Sequence, residues 1–269
     1  MAAKTRRKKT ADTSIHLPTE ENPLLEQVLG LVNANVEIST LWRITNVNAM
    51  RRLGMTDHGP HHFQIVASNA LTIQRLMLKN DIRMSISKDF GLSAQYSEVV
   101  VLLASLLHDV GMSIHRIGHE EFSLFLVNTL LRELLDPWGV VERTIVISEV
   151  LHAIISHRSD GKPLTVEAGI VRVADALDMA HGRSRIPYEQ GKIDIHSVSA
   201  MAIDDVTIKA GKQTPIEIDI VMNHTAGIFQ VDELLKRKVE GSGIERHLTI
   251  KIYIDKGDGK QPFKDFYHI

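Results

Sequence analysis

Val99–Gly111 reads Val-Val-Val-Leu-Leu-Ala-Ser-Leu-Leu-His-Asp-Val-Gly, and this stretch decides the fold. Val99–Leu107 is apolar on nearly every side, which belongs to a helix at the centre of a bundle rather than to a surface helix with one apolar stripe. The run ends in His108-Asp109-Val110-Gly111. A charged Asp behind a buried helix is expensive to desolvate unless something pairs with it. A divalent cation is the most economical partner.

Around this segment, from Pro23 to about Ala180, apolar residues recur at helical spacing, with Gly54, Gly91, Gly111, Pro137 and Pro163 as punctuation. The spacing predicts about seven helices. Leu24, Leu25, Val28, Leu31 and Val32 open the first, and Leu41 to Leu53 carry the second. Asp57-His58-Gly59-Pro60 marks a turn whose proline suits the first turn of a helix bearing His62. Further helices are expected over residues 119–135, 141–157 and 165–180, the last with Thr165 as N-cap.

After about Ile193 the period changes to two: Ile216, Ile218 and Ile220 alternate with Glu217 and Asp219, and Leu248, Ile250, Ile252 and Ile254 with their neighbours. Between these strands Val231–Val239 has helical composition. The expected fold class is mainly α: a basic, disordered tail over residues 1–21, a helical domain over 22–192, and a small C-terminal α+β unit over 193–269.

The chain has 269 residues, 31 Lys+Arg against 33 Asp+Glu, 14 His and no Cys. That length suits one or two domains with an unaided core. The near-neutral balance removes the basic excess of a nucleic-acid coat protein. Nucleic acid therefore remains an option, through Lys4, Arg6, Arg7, Lys8 and Lys9, that the reading does not expect. Without Cys, thiolate zinc sites, iron–sulfur clusters, disulfides and a Cys nucleophile are excluded, so any metal is bound through His and carboxylates. No apolar run reaches a membrane span, and a cytoplasmic protein is expected.

Asp175 repeats the argument made for Asp109. Ile170-Val171-Arg172-Val173-Ala174 places it in a predominantly apolar helix, with Asp178 one turn later on nearly the same face. Either a metal or an ion pair to Arg172 or Arg183 would satisfy it. Each lone His likewise has an ordinary reading as a satisfied core or surface imidazole.

The order His62, His108-Asp109, Asp175 resembles the HD superfamily of metal-dependent phosphohydrolases. Closer still, Gly118-His-Glu-Glu-Phe122 and the blocks at residues 153–171 and 174–185 look like the catalytic domain of ribonuclease Y and its relatives. The resemblance implies an HD-domain helical bundle and adds His119 and His157 as ligands. It further implies a two-metal site, with His62, His108, Asp109 and Asp175 around one ion, His119 and His157 around the second, and Asp109 bridging. One or two divalent transition ions (Mn, Fe, Co, Ni or Zn) suit such a donor set. Two departures stand out: Met112 sits where relatives often carry Lys, and Arg158 where many have a second His with a following Gly-Tyr-Pro.

On this reading Asp109 is catalytic through the ions, and His115 and His152, with His181, are the candidate proton donors. Arg158, Arg183 and Arg185 are candidate phosphate ligands, since an Arg fork matches phosphate oxygens. The expected substrate is a phosphorylated small molecule or nucleotide, and edge strands favour a homodimer. Two other classes stay open: a di-iron HD oxygenase, and a non-catalytic nucleotide-binding protein.

Overall fold

The computed structural model describes residues 13–179, 195–255, 257 and 259–264. The basic cluster Lys4–Lys9, His181, Arg183, Arg185 and the expected boundary between residues 192 and 193 lie outside them. Within residues 13–21, assigned to the tail, Ile15 and Thr19 are buried. Ile15 is 1% exposed, its N–H donates to Asn33 Oδ1 (2.8 Å), and its carbonyl accepts from Asn33 Nδ2 (2.9 Å).

The helical part runs α1 (Pro23–Ala34), α2 (Val36–Asn46), α3 (Pro60–Lys79), α4 (Ser85–Phe90), α5 (Ala94–Leu107), α6 (His119–Leu134), α7 (Val140–Ile155) and α8 (Val166–Ala176). A π-helical stretch, Val47–Arg52, extends α2, and a 3-10 turn, Val110–Ser113, follows α5. Caps fix several starts: Asn22 Oδ1 accepts from the N–H groups of Leu24 and Leu25, and Asn35 Oδ1 from that of Ile38. Thr165 caps α8 through the N–H of Ala168, as expected. The helix missing from the expected set is α4. Its first N–H groups, of Ser85 and Ile86, donate to the buried carboxylate of Glu167, 81 or 82 residues away, so no local pattern announces it.

Every residue of α5 from Ser97 to Leu107 is buried, and the helix packs against α1, α3, α7 and α8. Trp42 fills the space beside it and donates its indole N–H to the Leu106 carbonyl (2.8 Å). No helix among the described residues is long and apolar enough to cross a membrane.

The C-terminal residues form α9 (Ile195–Met201), β1 (Ile203–Ala210), β2 (Ile216–Met222), α10 (Lys236–Val239), β3 (Leu248–Asp255) and β4 (Lys260–Lys264). A π-helical stretch, Gln230–Leu235, leads directly into α10. The sheet order is β1-β2-β3-β4. The expected strand–helix–strand is its centre: β2 and β3 run parallel, with Ile216, Ile218 and Ile220 opposite Leu248, Ile250 and Ile252, and α10 lies in the crossover. The two antiparallel flanking strands go beyond the expectation. In β1 a register shift between Ile203 and Asp205 breaks the alternation, and β4 carries Pro262, which a strand tolerates at a sheet edge.

One buried apolar cluster contains α5 and the inner isoleucines of the sheet alike. The seam between the C-terminal part and the bundle runs along α8. A Cβ on Gly169 would collide with the Ser242 carbonyl oxygen, so glycine permits the two backbones to touch. One turn on, Arg172 is 2% exposed and donates to the carbonyls of Lys238 (2.8 Å), Arg237 (2.9 Å), Ser159 (3.0 Å), Glu240 (3.2 Å) and Gly161. It is therefore not the ion-pair partner of Asp175. Burial lowers the Arg172 pKa from its ordinary value, a penalty that the carbonyl oxygens offset.

Arg172→Ala would leave these carbonyls without their donor and open a void at the seam. It is expected to cost about 3 kcal/mol of stability, read from urea unfolding followed by circular dichroism.

Candidate metal centre

Five elements deliver the site. His62 lies in the first turn of α3, behind Pro60; His108 and Asp109 close α5; His119 opens α6; His157 follows α7; and Asp175 lies in the last turn of α8. Gly111 makes the junction of α5 and α6 work. Its N–H donates to Ser123 Oγ (2.8 Å), and that hydroxyl donates to the His108 carbonyl (2.7 Å). A Cβ on Gly111 would collide with the His119 carbonyl oxygen. The close approach is what sets Asp109 beside His119.

The two oxygens of Asp109 face opposite groups. Oδ2 lies 3.4 Å from His108 Nε2 and 3.8 Å from His62 Nε2, while Oδ1 lies 2.9 Å from His119 Nε2 and 3.6 Å from His157 Nε2. Asp175 Oδ1 is 3.5 Å from His62 Nε2 and 3.7 Å from His108 Nε2. Donors bound to one ion at 2.0–2.2 Å sit about 3 to 3.6 Å apart in tetrahedral or octahedral geometry. The observed spacings, 2.9 to 3.8 Å, lie in that range or within about 0.2 Å of it.

Each imidazole also has its other nitrogen engaged. Nδ1 of His108 lies 2.9 Å from the Ser105 carbonyl, that of His157 2.6 Å from Ile154, and that of His119 2.9 Å from Arg116. His62 Nδ1 meets Asp178 Oδ2 at 2.5 Å. A carbonyl or carboxylate only accepts, so each Nδ1 donates its hydrogen there and each Nε2 is the nitrogen left to face the cluster. These contacts have the form of the outer partners that orient metal-bound histidines. Asp178, noted in the sequence for its face alone, is one of them.

The cluster is starved of positive charge. Burial alone would raise Asp109, but His108 and His119 hold it well below the usual carboxylate range. Asp175 is likewise held low by Lys238 and His108 against its own desolvation. Burial pushes His108 down, yet Asp109 and Asp175 raise it to about 10, whereas burial and the neighbouring His108 lower His157 to about 3. Without an ion the two carboxylates thus claim a proton at His108. A bound cation would displace it and supply the charge instead.

The cluster opens into a cleft of about 330 Å³, whose described walls include His58, Arg116, Arg158, Asp178, Gln230, Glu233, Leu234, Arg237 and Lys238. The six expected ligand residues are all brought together. Arg158 is in the wall, 3.3 Å from Glu120 Oε1. Arg183 and Arg185 lie outside the described residues. His115 and His152 are not brought to the cluster. His115 is exposed and its Nδ1 accepts from the N–H of Ile117 (3.0 Å); His152 Nε2 accepts from the N–H of Leu164 (2.9 Å), and burial lowers its pKa. The imidazole that does approach is His58, with Nε2 4.0 Å from Asp109 Oδ2 and Nδ1 2.8 Å from the Thr56 carbonyl. Met112 is buried, so the position after Gly111 brings no cation.

Sequence reasoning missed Lys238. Its ammonium pairs with Asp175 Oδ2, although the segment that carries it reads as a plain amphipathic helix. The signal available was its spacing: Gln230, Glu233, Leu234, Arg237 and Lys238 recur at three- and four-residue intervals, one face of a helix.

The comparisons agree with this geometry. The HD domain family model matches residues 71–180, a span that contains His108, Asp109, His119, His157 and Asp175 and begins after His62. The chain is 40% identical to the uncharacterized protein MJ1020 of Methanocaldococcus jannaschii over 223 residues, which is 82% of this chain and 86% of that protein. A search of solved structures gives no match. The chain belongs to the HD superfamily of metal-dependent phosphohydrolases.

Gly111→Ala should force the 3-10 turn off α6. The expected result is a loss of about 1 to 3 kcal/mol in stability together with reduced metal content, checked by thermal unfolding and elemental analysis of the same preparation.

Proposed function

We propose that the protein hydrolyses a phosphate ester of a small molecule or nucleotide, using two divalent transition ions. One observation carries the reading: four buried imidazoles, each with Nδ1 engaged, aim Nε2 at the two oxygens of a single carboxylate, Asp109. Asp109 Oδ2, His62, His108 and Asp175 would hold one ion. Asp109 Oδ1, His119 and His157 would hold the other. The donors are nitrogen and oxygen alone, which suits Mn, Fe, Co, Ni or Zn. Ions so placed lower the pKa of bound water and polarise a phosphoryl oxygen.

The chain's own residues do the rest. Among the described lining residues, four cations (Arg116, Arg158, Arg237, Lys238) stand against four carboxylates (Asp109, Asp175, Asp178, Glu233). With this balance, divalent ions leave the cleft with a surplus of positive charge that a phosphate offsets. Arg158 presents a fork to phosphoryl oxygens from the loop behind His157. His58, whose Nδ1–H is committed to Thr56, is placed to hold a proton at Nε2 beside Asp109. The cleft volume lies at the lower end for ligand pockets, which supports a small ester.

Phosphate release from a panel of mononucleotides, cyclic nucleotides and short phosphodiesters, with added Mn, tests the reading. Absence of release across the panel would overturn it, and oxygen consumption with Fe in its place would identify an oxygenase. Elemental analysis is expected to find both ions gone from Asp109→Ala but only one lost from His157→Ala, because the bridging carboxylate belongs to both shells. Arg158→Ala should keep its metal and lose about ten- to hundredfold in kcat/KM, and Lys at that position should recover only part.

A further inference from the structure

The C-terminal part brings Lys238 to the edge of the cluster, and its placement is over-determined. Gly169, Arg172 and Asp175 follow one another at three-residue intervals along α8, and each meets the same incoming segment. Gly169 lets the Ser242 carbonyl press against the helix, Arg172 grips the carbonyls of Arg237, Lys238 and Glu240, and Asp175 pairs with the Lys238 ammonium. An exposed lysine ordinarily keeps its rotamer freedom, but here the backbone is held on both sides of the side chain. The Lys238 side chain is only 19% exposed, and it lines the cleft.

The ion pair uses the outer oxygen of Asp175, Oδ2, while Oδ1 faces His62 and His108. The ammonium therefore sits one carboxylate away from the cluster, on the side of the cleft. An ammonium carries three donors. Among the described residues Asp175 takes one, which leaves the others for an anion in the cleft.

We propose that Lys238 binds the substrate's phosphoryl oxygens beside the metal cluster, so that the C-terminal part is a wall of the active site and not an accessory to it. This rests on the phosphohydrolase reading, and it makes the charged phosphoryl group the feature that the C-terminal part recognises. Lys238 touches substrate and also steadies Asp175. The two contributions separate by experiment, because loss of the first leaves metal content intact.

The probe is inorganic phosphate, titrated calorimetrically into the Mn-loaded full-length protein, with manganese content measured on each sample. Lys238→Ala and Lys238→Gln are expected to keep their manganese and to bind phosphate about ten- to hundredfold more weakly, whereas Lys238→Arg regains part of the affinity. Unchanged phosphate affinity in a metal-replete Lys238→Gln protein would overturn the proposal and leave Lys238 as a partner of Asp175 only. Loss of manganese from both variants would overturn it too, by assigning Lys238 to the support of a ligand. If the wild-type protein binds no phosphate, the phosphohydrolase reading itself fails, and that outcome is distinguishable because the variants are then not needed. Should Lys238→Ala fail to fold, the near-isosteric Lys238→Gln carries the same decision.

Discussion

The structure depends on the desolvation of Asp109. A carboxylate 5% exposed at the end of the most buried helix is tolerable only with positive charge on both of its oxygens. Four helices accordingly bring imidazoles to it, and the arrangement constrains each of them: Pro60 starts α3 in time to aim His62 inward, Gly111 lets the 3-10 turn lie against α6, and α7 ends where His157 can turn back. Deletion of any one contact would leave buried polar atoms facing a charge they cannot neutralise.

The imidazoles are themselves held from behind by three backbone carbonyls and one carboxylate, Asp178. Such outer contacts fix the tautomer and the ring plane before any ligand arrives, which lowers the cost of assembling the site. They also explain how a buried polar cluster of this size coexists with a well-packed core: each of the four imidazoles has its Nδ1 partnered, and its Nε2 faces one or other oxygen of Asp109.

α8 links this centre to the sheet. Asp175 in its last turn and Asp178 just past its end reach the cluster, and its stripe of Gly169 and Arg172 receives the C-terminal segment. One guanidinium gathers carbonyls from the loop after His157 and from the end of α10, so the placement of Arg158 and that of Lys238 are coupled through Arg172. The C-terminal part thereby lines the cleft without lending it a single strand residue among the described walls.

Residue periodicity alone revealed the buried helix, the surrounding bundle and the paired isoleucine strands, because apolar burial follows the 3.6- and 2-residue repeats directly. The candidate ligands were legible for a related reason: a carboxylate or a His-Asp pair inside an apolar run has few inexpensive solutions, and the order of such residues resembles a known family. What depends on distant partners was not legible. The capping of α4 by Glu167, the packing of Ile15, the carbonyl grip of Arg172, and the approach of His58 rather than His115 or His152 to Asp109 all join residues far apart in the chain or turn on which way a loop points. Lys238 is the plainest case. Its helix looks ordinary because helical spacing records only which residues share a face, and only the packing of that face against α8 decides that it meets Asp175.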